Sequence, residues 1–254
     1  LIVFIVAMIL LFVAQRGLST FFVDGISIKD FLFNAKWEPN SKSFGALPMI
    51  ACSFIVTILS ALIATPVAIG AAIFMTEISP RHGAKILQPV IELLTGIPSV
   101  VYGFIGLQIV VPFVRSIFGG TGFGILSGVF VLFVMILPTV TFMTVDSLRA
   151  VPRHYREASL AMGATRWQTI WRVILNAAKP GIFTAVIFGM ARAFGEALAI
   201  QMVVGNSAVI PTSLTTPAAT LTSVLTMGIG NTVMGTVQNN VLWSLALVLL
   251  IMSL

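Results

Sequence analysis

The sequence predicts an all-α polytopic membrane protein, and its composition carries that prediction. Of 254 residues, 58% are hydrophobic and only 9% are charged, whereas soluble domains carry about 25% charged residues. The mean hydropathy is +1.07. Disordered chains are poor in apolar residues, so this class is excluded. A disulfide scaffold is excluded as well, because Cys52 is the single cysteine.

Six apolar segments predict six transmembrane helices, because a span needs roughly 20 residues. They cover about residues 1–15, 46–75, 90–114, 123–145, 181–204 and 235–254. The first segment starts at Leu1 and is short, and the last has no closing charge, so we expect both ends to be clipped. The stretch 205–234 is interpreted as an external connection that includes a re-entrant or interfacial piece.

The distribution of basic residues predicts the orientation, because the side richer in Lys and Arg is cytoplasmic. One side holds Arg16, Lys29, Lys36, Lys42 and Arg115. The other side holds Arg81, Lys85, Arg149, Arg153, Arg156, Arg166, Arg172 and Lys179. Both termini are then cytoplasmic. Basic residues scattered between spans do not form the solvated basic face that nucleic acids require.

The loop of residues 146–180 carries the strongest local signals. Pro152 suits the first turn of a helix that we expect to run to Met162 and to stop near Gly163. Thr165 with Gln168 predicts a capping box that starts a second helix, and Pro180 marks its expected end. Such a hairpin could anchor on anionic lipid, or its first helix could dock into a groove on a soluble partner.

This loop resembles the EAA loop of ABC importer permeases. The family pattern is Glu-Ala-Ala, three residues, Gly, nine residues, Ile, one residue and Leu-Pro. The chain has Glu157, Ala158 and Ser159, then Gly163, then Val173 and Leu175. It departs from the pattern with Ser159 for the second Ala, Val173 for Ile and Asn176 for Pro. In the family this helix inserts into a cytoplasmic ATPase, so the resemblance implies that Arg156, Glu157, Ala158, Ser159 and Gly163 couple the chain to ATP hydrolysis.

Two further segments resemble the phosphate branch of these permeases, close to its PstC-type subunit. They are Thr95-Gly96-Ile97-Pro98-Ser99-Val100-Val101-Tyr102-Gly103 and Arg192-Ala193-Phe194-Gly195-Glu196-Ala197. The resemblance implies one permease domain over residues 1–254, with the type I ABC importer permease fold, in a bacterial or archaeal inner membrane. It also implies a second homologous permease, two ATPase subunits and an external phosphate-binding protein as partners, with surrounding membrane lipid.

The chain itself is expected to be a transport subunit and not an enzyme. It has no G-x-x-x-x-G-K-[ST] phosphate-binding loop, so ATP and Mg²⁺ belong on the partner ATPase and no cofactor is expected here. His82 and His154 lie in separate segments without a cysteine or carboxylate cluster, which makes a metal site unexpected. The external loop 16–45 could receive a binding protein or be a solvated connector.

Arg192 and Glu196 are the candidate substrate-pathway residues. Each charge costs roughly 2.5–3.5 kcal/mol at a helix centre within the membrane. Four residues apart on one helix, they would share a face and could pair. One interpretation is a structural ion pair; the other is an anion site, because guanidinium groups bind phosphate oxygens bidentately. The polar residues Thr95, Ser99, Thr139, Thr141, Thr144 and Gln201 are further possible donors that we interpret as structural.

Three alternative functions follow from the same residues. A permease for sulfate, molybdate or another oxyanion would share the whole pattern. An ion-coupled secondary carrier or channel would use Arg192 and Glu196 without any ATPase. A membrane scaffold or sensor would use the 146–180 loop only to dock a regulator, and would transport nothing.

Overall fold

The computed structural model describes residues 1–39, 43–80 and 82–253. Lys42 and Arg81, two of the basic residues used for the orientation, lie outside the described residues. The helices in chain order are α1 (Ile2–Phe22), α2 (Ile28–Phe33), α3 (Leu47–Ile73), α4 (His82–Gly96), α5 (Ser99–Ile105), α6 (Val111–Phe118), α7 (Ile125–Arg149), α8 (Arg153–Ala161), α9 (Arg166–Gln168), α10 (Leu175–Gly195), α11 (Leu198–Val203), α12 (Leu221–Ile229) and α13 (Val237–Ser253). The short strand β1 (Trp37–Glu38) pairs antiparallel with β2 (Ser43–Phe44).

Three π-helical segments extend or join these helices. Phe74–Ile78 prolongs α3, Gly106–Val110 joins α5 to α6, and Thr169–Ile174 joins α9 to α10. Within the described residues, five of the resulting helices are long and apolar enough to cross a membrane. They are Ile2–Phe22, Leu47–Ile78, Ser99–Phe118, Ile125–Arg149 and Arg166–Phe194. The apolar helix α13, with 17 residues, is the sixth candidate.

The chain divides into two compact units. The first comprises Leu1–Thr57, Ser99–Leu132 and Phe194–Leu254. In it α1 packs closely on α13, because Gly17 has no side chain: a methyl group there would lie 2.9 Å from the Trp243 carbonyl oxygen. The Ser244 hydroxyl donates to the Gly17 carbonyl oxygen at 2.7 Å. Phe31, Met49, Leu221 and Leu245 are central members of the buried apolar cluster beside this contact.

The second unit comprises Ile58–Pro98 and Phe133–Ala193. Its main apolar cluster joins the end of α3 to the end of α7 and the start of α10. The central members are Ile73, Met75, Leu148 and Ile174, none more than 6% exposed. Ala68, Val140 and Ala185 form a smaller cluster farther along the same helices.

One predicted segment and one predicted helix end differ clearly from the structure. The segment 90–114 combines the end of α4 with the start of another helix, because Ile97 and Pro98 interrupt the helix between Gly96 and Ser99. The expected helix end at Pro180 is wrong, since α10 continues through it to Gly195. Membrane helices tolerate proline when neighbouring groups satisfy the freed backbone, as Pro66 and Pro138 also illustrate inside α3 and α7.

Candidate functional site

The helix α8 is short, and its ends are set by local sequence signals. It runs from Arg153 to Ala161 after Pro152, one residue inside each predicted end. Gly163 follows with φ +83°, a left-handed conformation that glycine adopts without steric cost. The predicted capping box is present, because the Thr165 hydroxyl accepts from the Gln168 N–H and the Gln168 side chain accepts from the Thr165 N–H. The polypeptide therefore turns sharply between α8 and α9.

One face of α8 is fixed by the guanidinium of Arg156. Its Nη2 and Nε atoms donate to the two carboxylate oxygens of Glu77, at 2.6 and 3.2 Å. The Nη1 atom donates to the Val151 carbonyl oxygen at 2.8 Å, and Nη2 donates to the Leu148 carbonyl oxygen at 3.1 Å. Arg156 was predicted as a coupling residue, and the structure directs its side chain toward the body of the protein.

Ser159 lies on the same face, three residues after Arg156. Its hydroxyl is 2.9 Å from that of Thr169, the first residue of the π-helical segment that precedes α10. The Thr169 hydroxyl also donates to the Thr165 carbonyl oxygen. The serine that replaces the second alanine of the family pattern thus links α8 to the start of the following long helix.

The opposite face of α8 is exposed. Glu157 and Ala158, both predicted coupling residues, lie there. Sequence reasoning missed three exposed apolar residues in and directly after α8. They are Tyr155, Leu160 and Met162, which are 47%, 46% and 88% exposed. Tyrosine and methionine are enriched at protein interfaces, so their exposure here fits a protein docking surface. A signal was available in the sequence. These apolar residues lie in or directly after a short polar helix and do not recur at the spacing of a buried helical face.

Arg192 lies on an exposed face of α10, within a helix that is long and apolar enough to span the membrane. Its Nη1 atom donates to the Thr139 hydroxyl at 2.7 Å, across to α7. Thr139 was interpreted as structural, and its hydroxyl is the acceptor that positions the candidate anion-binding side chain. Among the described residues, the other N–H groups of this guanidinium have no hydrogen-bond partner.

Glu196 does not lie on the same helix as Arg192, so the expectation of a shared helical face is wrong. The helix α10 ends at Gly195, and Glu196 and Ala197 form a non-helical break before α11. The Glu196 carboxylate accepts from the Ala199 N–H at 3.0 Å, which satisfies a free donor at the start of α11. The Glu196 carbonyl oxygen accepts from the Thr222 hydroxyl at 2.8 Å.

Within the first unit, the end of the first segment that resembles the phosphate branch packs against the helix that follows the second segment. Gly103, the last residue of the first segment, lies on α5 against α11, just after the second segment. A methyl group at Gly103 would lie 2.8 Å from the Ala199 Cα atom. Close packing on a glycine therefore holds the chain immediately after the helix break.

Small residues on α10 also allow a close approach to α7. Ala185 is fully buried, and a methyl group at Gly189 would lie 2.6 Å from a methyl carbon of Val140. Such small-residue stripes bring membrane helices into van der Waals contact. This packing fixes the part of α10 that precedes Arg192.

The sequence reasoning also missed Glu77. It lies in the π-helical extension of α3, and its side chain is 10% exposed. The available signal was a single carboxylate directly after an apolar segment, on the side of the chain that is otherwise rich in basic residues.

The comparisons with known proteins agree with this architecture. The model of the family described as binding-protein-dependent transport system inner membrane component matches residues 64–254. A probable ABC transporter permease protein, YqgH of Bacillus subtilis (strain 168), is 55% identical over 248 residues, which cover 96% of this chain and 80% of the relative. The phosphate transport system permease protein PstC of Mesorhizobium japonicum is 35% identical over 230 residues, covering 83% and 68%.

A solved structure shows the same fold. A chain from the inward-facing conformations of the MetNI methionine ABC transporter matches with a TM-score of 0.58 and 24% identity, covering 82% of this chain and 88% of that one. The predicted type I ABC importer permease fold is thus confirmed. Such permeases are multi-pass transport subunits, not enzymes, and they work with separate ATPase subunits and a binding protein. The chain belongs to the family of binding-protein-dependent transport system inner membrane components, the permeases of ABC importers.

Proposed function

We propose that this chain is the permease subunit of an importer that moves inorganic phosphate inward by alternating access. The partners would be a second, homologous permease, two cytoplasmic ATPases and an external phosphate-binding protein. The names of relatives such as the Mesorhizobium japonicum protein support phosphate as the substrate. The observation that carries the proposal is the exposed guanidinium of Arg192 in an otherwise apolar membrane-spanning helix.

Arg192 has the chemistry of a phosphate-binding group. A guanidinium presents five N–H donors in a planar arrangement that matches two phosphate oxygens. The Thr139 hydroxyl accepts from one of these N–H donors and orients the side chain. The remaining donors are available to an anion. Placing a charged side chain inside a membrane is costly. Charged residues in membrane helices are therefore candidates for the substrate pathway by default.

Glu196, four residues after Arg192, is the second proposed pathway residue. A negative charge on the pathway would keep the anion from being held too tightly, because conduction requires binding that is weak enough to release the ion. The carboxylate could also accept a hydrogen bond from protonated phosphate, which sulfate does not offer. Its Oε1 atom is used by the Ala199 N–H, so Oε2 would play this role.

Phosphate uptake by cells that lack this subunit tests the proposal. Reintroducing the chain should restore uptake of radiolabelled phosphate, and unlabelled phosphate in large excess should block it. Sulfate and molybdate in the same excess should leave it unchanged. No restoration of phosphate uptake would contradict the assignment, as would complete competition by sulfate or molybdate, which would indicate another oxyanion.

A permease for another oxyanion is the second candidate. The Bacillus subtilis relative, at 55% identity, is described only as a probable ABC transporter permease. Selectivity in such importers depends largely on the binding protein. Uptake of labelled sulfate or molybdate by the same cells would favour this candidate over phosphate.

A further inference from the structure

The helix α8 has no buried residue, so hydrophobic packing does not hold it against the rest of the protein. It is nevertheless the element that carries the proposed contact with the ATPase. Its position depends on polar contacts made by Arg156 and Ser159, both on its inner face. Apart from the covalent connections at its two ends, these contacts are the route by which a movement of α8 can act on the membrane helices.

The Arg156 contacts are the stronger of the two sets. A bidentate pair between a guanidinium and a carboxylate is charge-assisted and geometrically specific, whereas the contact of Ser159 with Thr169 joins two neutral hydroxyls. The carboxylate of Glu77 is 10% exposed and the Arg156 side chain is 24% exposed, so water screens this pair only partly.

Arg156 also binds the end of a second long helix. The carbonyl groups of Leu148 and Val151 lie at and just after the end of α7, where the usual helical donors run out. The Leu148 carbonyl oxygen also accepts from the Val151 N–H at 3.3 Å. A cation is favoured at this negative end of the helix dipole. A single guanidinium thus joins α8 to the ends of both α3 and α7.

The residues next to these acceptors are closely packed. Met75, Leu148, Val151 and Ile174 are at most 6% exposed and belong to one apolar cluster. Protein interiors are packed as densely as organic crystals, so a displacement of one member displaces its neighbours. A movement of α8 applied through Arg156 would consequently reach α3, α7 and the start of α10 together.

We propose that the ion pair of Arg156 with Glu77 is the mechanical connection through which a movement of α8 reaches the membrane-spanning helices. Arg156 and Glu77 are positioning residues in this proposal, which rests on the proposed importer function. Breaking the pair should leave ATP hydrolysis in place while less substrate moves for each ATP hydrolysed. A purely structural pair would lower assembly, hydrolysis and transport in proportion.

The test uses the complete transporter, reconstituted in liposomes with its binding protein. We would measure ATP hydrolysed and labelled phosphate imported in the same vesicles for the wild type, Glu77→Gln, Arg156→Gln and the double variant. We expect phosphate moved per ATP to fall at least fivefold in each single variant, with the double variant no worse than either. Glu92→Gln is the matched control, because Glu92 is exposed on α4 and, among the described residues, its carboxylate accepts a hydrogen bond from Gln88 alone. An unchanged ratio in the single variants, or additive losses in the double variant, would overturn the proposal.

A second measurement separates this proposal from the substrate assignment. Hydrogen exchange of the same complexes, with and without a non-hydrolysable ATP analogue, needs no transported substrate. In the wild type we expect the nucleotide to change exchange in α8 and also in residues 74–78. In Glu77→Gln the change should stay confined to α8. If the wild type imports no phosphate but shows this pattern, the proposed substrate fails and the connection stands; equal changes in both complexes would overturn the connection.

Discussion

Arg192 is the residue on which the proposed substrate depends. Its guanidinium binds Thr139 and keeps further donors available within a membrane-spanning helix. A charged residue within a membrane-spanning helix is by default a candidate for function. Donors that remain available on such a residue favour a role in binding an anion.

Replacing Arg192 by Gln should reduce the initial rate of phosphate uptake by about 10–100-fold. A hydrogen bond to a charged group contributes about 1.5–3 kcal/mol, and each 1.4 kcal/mol is a factor of ten. Arg192→Lys should give an intermediate rate, because lysine keeps the charge but loses the bidentate geometry. Thr139→Val should cost less than Arg192→Gln, since only the orientation of the guanidinium is lost. Uptake in cells with matched membrane levels of each variant is the measurement.

Arg115→Gln is the matched control for this series. Arg115 is an exposed arginine near the end of α6, and it has no part in the proposed site. Its replacement should leave the uptake rate unchanged. A normal rate for Arg192→Gln would contradict the pathway role and would leave the residue a structural one.

At the scale of the element, sequence signals at the two ends of α8 determine where this helix begins and ends. Pro152, Gly163 and the Thr165 capping box set where the chain enters and leaves this hairpin. These signals act over a few residues, which is why the sequence predicts the helix to within one residue at each end. The partners of its side chains lie up to 79 positions away, and local signals say nothing of them.

Gly163→Ala should weaken the attachment of the ATPase. Nothing lies within 4 Å of a methyl group placed at Gly163, so its φ of +83° is the sole obstacle. Holding alanine in this left-handed region costs roughly 1–2 kcal/mol, which corresponds to about a 5–30-fold change in an equilibrium. The measurement is the fraction of ATPase that co-purifies with the permease at limiting ATPase concentration. Gly163→Asn should lose less of the bound ATPase than Gly163→Ala.

Gly230→Ala controls for the removal of a glycine as such. Gly230 is exposed at the end of α12, has an ordinary φ of −78°, and likewise has no atom within 4 Å of an added methyl group. The Gly230→Ala variant should retain as much co-purified ATPase as the wild type does. Equal losses for Gly163→Ala and Gly230→Ala would show that the turn after α8 has no special part in docking.

The bounds of the long helices illustrate where sequence reasoning fails. Proline commonly ends a helix in water, where it removes a backbone hydrogen bond. By this rule Pro180 ends a helix, yet α10 passes through it. The next residue, Gly181, packs closely on α7: a methyl group there would lie 2.7 Å from the Ser147 Cβ atom. Such tertiary contacts override a local rule and leave no local signal.

At the scale of the whole molecule, composition is enough to predict a polytopic helical membrane protein. Few charges and high hydropathy allow little else, and the structure and comparisons confirm the class and the fold. The helix break at Glu196 was not predicted, because the sequence around it is as apolar as a continuous helix. The ion pair of Glu77 with Arg156 was not predicted either, because it joins segments 79 residues apart. The cytoplasmic position of the termini stays a prediction.

The central claim is that ATP hydrolysis by a partner drives phosphate inward through this chain by way of α8. The most direct test is labelled phosphate uptake by the reconstituted transporter, with and without ATP, for the wild type and Glu157→Lys. Glu92→Lys makes the same change of charge at an exposed site on α4 and serves as the control. We expect ATP-dependent uptake in the wild type and the control, and its loss in Glu157→Lys although that protein still inserts. Uptake without ATP, or normal uptake by Glu157→Lys, would contradict the account.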